Sequence, residues 1–219
     1  RTSQRQNCAL MGMRGTWDIT QKLRPGLPVW PGDTAFQQTG TWQMAEGSPV
    51  NVSALTLSTH SGAHADAPLH YAQGAPDIAS IDLAPYLGEC VVVDARGCGA
   101  MVKPNDVSDL GGAKRVLFRT YEQFPHDGWD EDHTAIAPAT IAKLADAGVT
   151  LIGMDGPSLD PQSSKTMDAH KAVLAADMRV LEGLVLDAVP AGRYELIALP
   201  LPIVGGDASP VRAILRELS

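Results

Sequence analysis

Cysteine is scarce in this chain: three residues in 219, Cys8, Cys90 and Cys98, with no Cys-x-x-Cys pair and an odd total. That excludes a disulfide framework, leaves no cysteine-rich structural zinc site, and fits a reducing, cytoplasmic compartment. The three thiols read as plain buried or tail residues. Long apolar runs are missing too. No stretch approaches the eighteen or so apolar residues of a spanning helix, so no membrane partner is expected. Basic residues are outnumbered, seventeen against twenty-five acidic, for a formal charge of -8. A surface of that sign has no general attraction for nucleic acid or anionic lipid. A Gly-x-Ser-x-Gly elbow, a His-Glu-x-x-His helix and a Gly-rich phosphate loop are all absent, which disfavours a serine hydrolase, a zincin and an NTPase.

What is present describes a folded domain. The chain is 44% hydrophobic and 19% charged, near the globular average. A chain of this length buries roughly 70% of its unfolded surface on folding. There is no internal repeat, low-complexity tract or long charge block. Residues 1–14 are polar and basic around an apolar stretch too short for a signal-peptide core, so they are expected to be a disordered leader. Residues 15–219 then form one domain.

Pro25-Gly26, Pro28, Pro31-Gly32-Asp33 and Gly47-Ser48-Pro49 punctuate the N-terminal third with loops. Strand-like patterns begin at Thr16–Thr20. Val50–Ser58, Cys90–Asp94 and Arg115–Arg119 look like buried strands, and further strands are expected at 149–155, 179–184 and 194–199. Pro138 opens a helix with Ile141, Leu144 and Ala145 at helical spacing and Gly148 at its end. A second helix is expected over 167–176. A third should start at Ser209-Pro210, a capping residue followed by first-turn proline, and run to about Leu218. Many strands and few helices make a single mixed α/β domain dominated by sheet.

The informative segment is His60-Ser-Gly-Ala-His64-Ala-Asp66-Ala-Pro68-Leu-His70, with three of the six histidines in eleven residues. Gly62 and Pro68 weaken a helical reading and place the segment on extended or looping chain, where even-numbered side chains point the same way. Imidazoles with a carboxylate suit zinc, manganese or iron(II), and an aspartate has two oxygens with which to bridge two ions. By themselves, Glu182 reads as a surface strand residue and His170 as a histidine at a helix start. His126 and His133 read as loop residues. Asp155, Ser158 and Asp160 follow a strand end, and either outer-shell partners of metal-bound imidazoles or turn-forming side chains would account for them.

The cluster resembles the His-x-Gly-Thr-His-x-Asp-x-Pro-x-His signature of the metal-dependent cyclase-like hydrolases, with Ala63 in place of the usual threonine and every ligand type intact. The likeness extends to Pro28-Val-Trp-Pro-Gly-Asp33, Ser158-Leu-Asp-Pro-Gln162, Ser164 to His170, Leu181-Glu182-Gly183 and Tyr194 to Pro200. It covers nearly everything from residue 16 onward. It implies a cyclase-like swivelling β/β/α fold and homodimers. It also implies two zinc ions per subunit, with manganese or another divalent metal as options. His60, His64, Asp66 and Glu182 would hold one ion, and Asp66, His170 and Glu182 the other. His70 would be the acid/base group and Trp30 a substrate contact. Phe36 and Trp42 are weaker aromatic candidates, and core packing is the expected role of Trp42. The motifs around 158–170 and 194–200 lean toward formamidase members, whose small-molecule substrate is N-formyl-L-kynurenine. An isatin-hydrolase-like member and a non-catalytic zinc-stabilised module are the competing readings.

Overall fold

The computed structural model describes residues 15–108 and 110–218; the leader expected at 1–14 lies outside them. In chain order the elements are β1 (Thr16–Asp18), β2 (Gln37–Trp42), β3 (Val52–Thr56), β4 (His64–Asp66), β5 (Leu87–Asp94), β6 (Met101–Val102), β7 (Arg115–Arg119), β8 (Ala135–Ile136), α1 (Pro138–Asp146), β9 (Leu151–Met154), α2 (Asp168–Ala175), β10 (Arg179–Glu182), β11 (Gly192–Ile197), β12 (Ala208–Pro210) and β13 (Ile214–Glu217). Nine strands form one mixed sheet in the order β1-β13-β11-β5-β7-β9-β10-β4-β12. The central run β5-β7-β9-β10 is parallel, and both flanks are antiparallel.

The parallel strands are buried on both faces, which is why they read as unbroken apolar runs. Alternate residues serve two cores. Val116, Phe118, Ile152 and Val180 pack on the helix side with Ile141, Leu144 and Val173. Leu117, Leu151 and Leu181 face the other way, against Ile19, Tyr86, Leu196 and Leu215. α1 starts at Pro138, buries Thr140, Ile141 and Leu144, and ends at Asp146; Gly148 follows, and its φ of 81° suits the turn that returns Val149 N to Leu144 O. Among the described residues, no helix is long and apolar enough to cross a membrane.

Three sequence expectations fail. The C-terminal helix is instead the strand pair β12 and β13. Ser209 Oγ accepts from Leu201 N and donates to Pro210 O, so no helical amide is capped. β13 pairs with both β1 and β11, and these non-local ladders override a local capping signal. Pro210 is tolerated because β12 is the sheet's outermost strand. Second, β3 is not buried: with β2 it forms a separate hairpin, every strand residue of which is exposed. Third, Trp42 on that hairpin is 59% exposed rather than in the core, whereas Phe36 is buried.

Candidate active site

β4 and β10 lie side by side, with Glu182 opposite His64 and Val180 opposite Asp66. Because side chains alternate along a strand, His64 and Asp66 share one face of β4. His60 reaches them from the turn before β4, and His70 ends a 3-10 turn, Pro68–His70, just after it. The even-number reading thus holds within the strand, while turns bring in the outer two histidines. His170 comes from the first turn of α2.

The carboxylate oxygens divide between two sides. Asp66 Oδ1 is 3.1 Å from His60 Nδ1 and 3.5 Å from His64 Nε2, while Glu182 Oε2 is 3.5 Å from His64 Nε2. On the other side His170 Nε2 is 3.3 Å from Asp66 Oδ2 and 3.4 Å from Glu182 Oε1. His60, His64 and Asp66 form one donor group, and Asp66, His170 and Glu182 a second, each with its ligating atoms within 4.8 Å of one another. His64 Nε2 and Asp66 Oδ1 are buried and receive no hydrogen bond from the protein. Buried polar atoms are ordinarily satisfied, so unpartnered donors converging in this way fit divalent cations.

Each ring is held from behind. His64 Nδ1 lies 2.9 Å from Gly62 O, which leaves Nε2 as its inward lone pair. Asp160 accepts from His170 Nδ1 at 2.6 Å and from the backbone amides of Ala169 and His170. It therefore caps the first turn of α2 from outside while turning His170 Nε2 inward. His133 Nε2 in turn lies 3.0 Å from Asp160 O. Of the two readings open for Asp160 the outer-shell one matches these contacts. Asp155 instead ties down the chain at Thr120 and Tyr121. Tyr71 packs on the His170 ring at 5.2 Å.

The electrostatics follow. Burial pushes His60 down, but the Asp66 and Asp207 carboxylates on either side outweigh it and lift the imidazole to about 9. Burial would raise Asp66, yet His170, His60 and His64 hold it well below the usual carboxylate range. His170 is lifted well above its usual value because Asp160, Asp66 and Glu182 outweigh its burial. In protein stripped of cations, His60 contributes stability that is fully present below its ordinary value of 6.5 and is lost as pH rises through about 9. The unfolding midpoint of chelator-treated protein is therefore expected to fall between pH 6.5 and 9. With a divalent cation added the trend reverses, because a ligating His60 must give up its Nδ1 proton. Thermal melts across that window check both signs.

Gly183 lets the two segments close. Its φ is 65°, and a Cβ there would stand 2.5 Å from Gly62 O and 3.0 Å from Gln21 Nε2. Gln21 already donates to Gly183 O, and Gly183 N to Gly156 O. Gly183→Ala is expected to cost at least about 1 kcal/mol from the left-handed backbone alone. It should also part the 60–64 turn from the end of β10, read as a lowered melting midpoint together with reduced cation binding.

A cavity of about 350 Å³ opens on this cluster. His60, His64, His70 and Glu182 form its polar end, and Trp30 and Trp129 its apolar wall. The two indoles meet edge to face at 5.4 Å, and Trp129 Nε1 donates to Gln162 at 2.6 Å. Trp129 was missed in the sequence, where it sits unmarked in the acidic loop 124–132. That loop reaches the cavity through Trp129 and is anchored by Arg24 to Asp127 and to His126 O. Asp207, also missed, bonds to both His60 and His70. Its carboxyl is held at about 2, where hydrogen bonds from His60 and Thr59 outweigh burial.

Comparison with known proteins agrees with the fold. The Cyclase family model matches residues 17–161, so the chain belongs to the cyclase family. Kynurenine formamidase of Erythrobacter litoralis is 62% identical over 205 residues, covering 94% of this chain and 95% of its own length. That of Maricaulis maris is 60% identical over 94% of this chain and 100% of its own. A solved structure described as a potential metal-dependent hydrolase with cyclase activity superposes with a TM-score of 0.81 at 28% identity, covering 93% of this chain and 98% of that one. An isatin hydrolase bound to thioisatinate has a TM-score of 0.79 at 21% identity over 91% of each chain, a likeness of fold.

Proposed function

We infer that this chain hydrolyses the formamide bond of N-formyl-L-kynurenine, giving L-kynurenine and formate in tryptophan breakdown. The observation that carries this reading is near-full-length identity of 62% and 60% to kynurenine formamidases in a chain whose donor cluster opens on an aromatic-walled cavity. His60, His64, Asp66 and Glu182 would hold one divalent cation, and Asp66, His170 and Glu182 a second. Zinc is the first choice, with manganese suited to the same donors. When bound, such cations supply Lewis acidity and lower the pKa of water from 15.7 toward about 7.

The protein's own groups do the rest. Asp66 and Glu182 each turn one oxygen to either side, so both would face the two cations and offset part of their charge. His70 stands at the cavity end of the cluster, where an imidazole can take a proton from water and pass it to the departing aryl amine nitrogen. Trp30 and Trp129 offer a flat apolar wall for the aryl ring. Unpaired Cys90 and Cys98 thiols support a cytoplasmic enzyme.

A homodimer is supported by the β2–β3 hairpin, which exposes Trp42, Met44, Val52 and Leu55. A lone two-stranded hairpin is marginal in water, and a second copy packed on it would stabilise it. Light scattering after size exclusion tests the mass. The activity is tested by assaying purified, metal-analysed protein on N-formyl-L-kynurenine and isatin in parallel, before and after chelation. Faster turnover of the formamide, abolished by chelation and restored by zinc, is the expected result. Preference for isatin would move the chain to the cyclic-amide branch. A rate unchanged by exhaustive metal stripping would end the metal-dependent scheme.

A further inference from the structure

Asp207 has no part in the ligand set, and sequence spacing does not announce it. It follows Gly205-Gly206 and immediately precedes β12, so the outermost strand of the sheet carries it to the His60 and His70 rings. Four hydrogen bonds fix it there. Its backbone oxygen accepts from Ala67 N at 2.9 Å, and its Oδ1 accepts from Thr59 Oγ1 at 2.8 Å. Its Oδ2 is shared by His60 Nε2 at 3.0 Å and His70 Nδ1 at 3.3 Å. The two rings lie against each other, 4.2 Å apart and tilted by 48°.

An ionised carboxylate only accepts hydrogen bonds. The protons it receives therefore sit on His60 Nε2 and His70 Nδ1. For His60 this leaves Nδ1 toward Asp66. For His70 it leaves Nε2 as the basic lone pair. We propose that Asp207 is a positioning residue that locks His70 in the Nδ1–H tautomer, so that Nε2 exchanges the proton with water and leaving group, and that it aligns the His60 ring through the same oxygen. The catalytic part of this rests on the formamidase reading, and the tautomer part does not.

His60, His70 and Asp207 also have donor atoms within 4.8 Å of one another, the arrangement of a third cation site. That alternative would need Asp207 Oδ2 to exchange both N–H partners for an ion. The two roles part experimentally.

The test uses zinc-loaded protein and its Asp207→Ala, Asp207→Asn, His70→Ala and His70→Ala/Asp207→Ala variants. Long-range ¹⁵N–¹H correlation spectra, assigned by the signal missing in His70→Ala, read the tautomer directly. His70 is expected as Nδ1–H in the parent and as Nε2–H in Asp207→Ala. Turnover of N-formyl-L-kynurenine at saturating zinc should fall about 10- to 100-fold in Asp207→Ala, the range for outer-shell partners, with KM changed little. Asp207→Asn keeps an accepting oxygen and should recover most of that loss. In the His70→Ala background at saturating zinc the Asp207 change should add far less than it costs in the parent, because the route through His70 is gone and only the alignment of His60 remains. An Nε2–H tautomer already present in the parent, or losses that multiply in the double variant, would overturn the proposal. Loss of one zinc equivalent in Asp207→Ala would also overturn it and make the residue a ligand. A parent protein inert toward the formamide would sink the formamidase reading alone, since the spectra still decide the tautomer.

Discussion

Asp66→Ala is expected to lose bound cation and activity together. Asp66 reaches both donor groups, with Oδ1 toward His60 and His64 and Oδ2 toward His170. Outer-shell changes cost about 10- to 100-fold in metal affinity or rate, and loss of a bridging ligand should exceed that range at both positions. The fully buried carboxylate also balances the surrounding imidazoles in the stripped protein. The variant should therefore melt lower even without metal. Asp66→Asn keeps the volume and separates the two effects. Elemental analysis beside the activity assay is the check, and a variant holding a full complement of cation would remove Asp66 from the ligand set.

His70→Ala should behave in the opposite way. The ring is part-buried at the cavity and bonds to Asp207, while the two carboxylate-bridged groups are complete without it. Metal content is expected to stay at the parent level while turnover drops by about 10²- to 10⁴-fold, the usual worth of a general acid/base group. KM should move little, because the aryl ring still meets Trp30 and Trp129. Depletion of metal in this variant would make His70 a ligand.

Both variants fall in the readable part of the site. His60, His64, Asp66 and His70 announce themselves by crowding within eleven positions. His170 and Glu182 are isolated polar residues in ordinary surroundings, and only the resemblance singled them out. Asp207 and Trp129 carried no signal: Gly205-Gly206-Asp207 reads as turn chemistry, and the partnership with His60 spans 147 positions. The parallel core strands and α1 were legible because apolar runs, a first-turn proline and a terminal glycine are local features. β12 and β13 were not, since their strand character comes from partners at 16–18, 64–66 and 194–197 that no local window contains. The exposure of β3 escaped for the related reason that its apolar residues face no other part of the chain's core.

β4 is clamped between β10 and β12, with His64 opposite both Glu182 and Pro210. During biosynthesis the histidine-rich segment emerges early, yet its neighbour on one side arrives more than a hundred residues later and the one on the other side later still. A nascent chain halted before about residue 180 would present His60, His64 and Asp66 without the bridging partner that completes a second position. Both donor groups are therefore complete only once β10 has been made and has paired with β4.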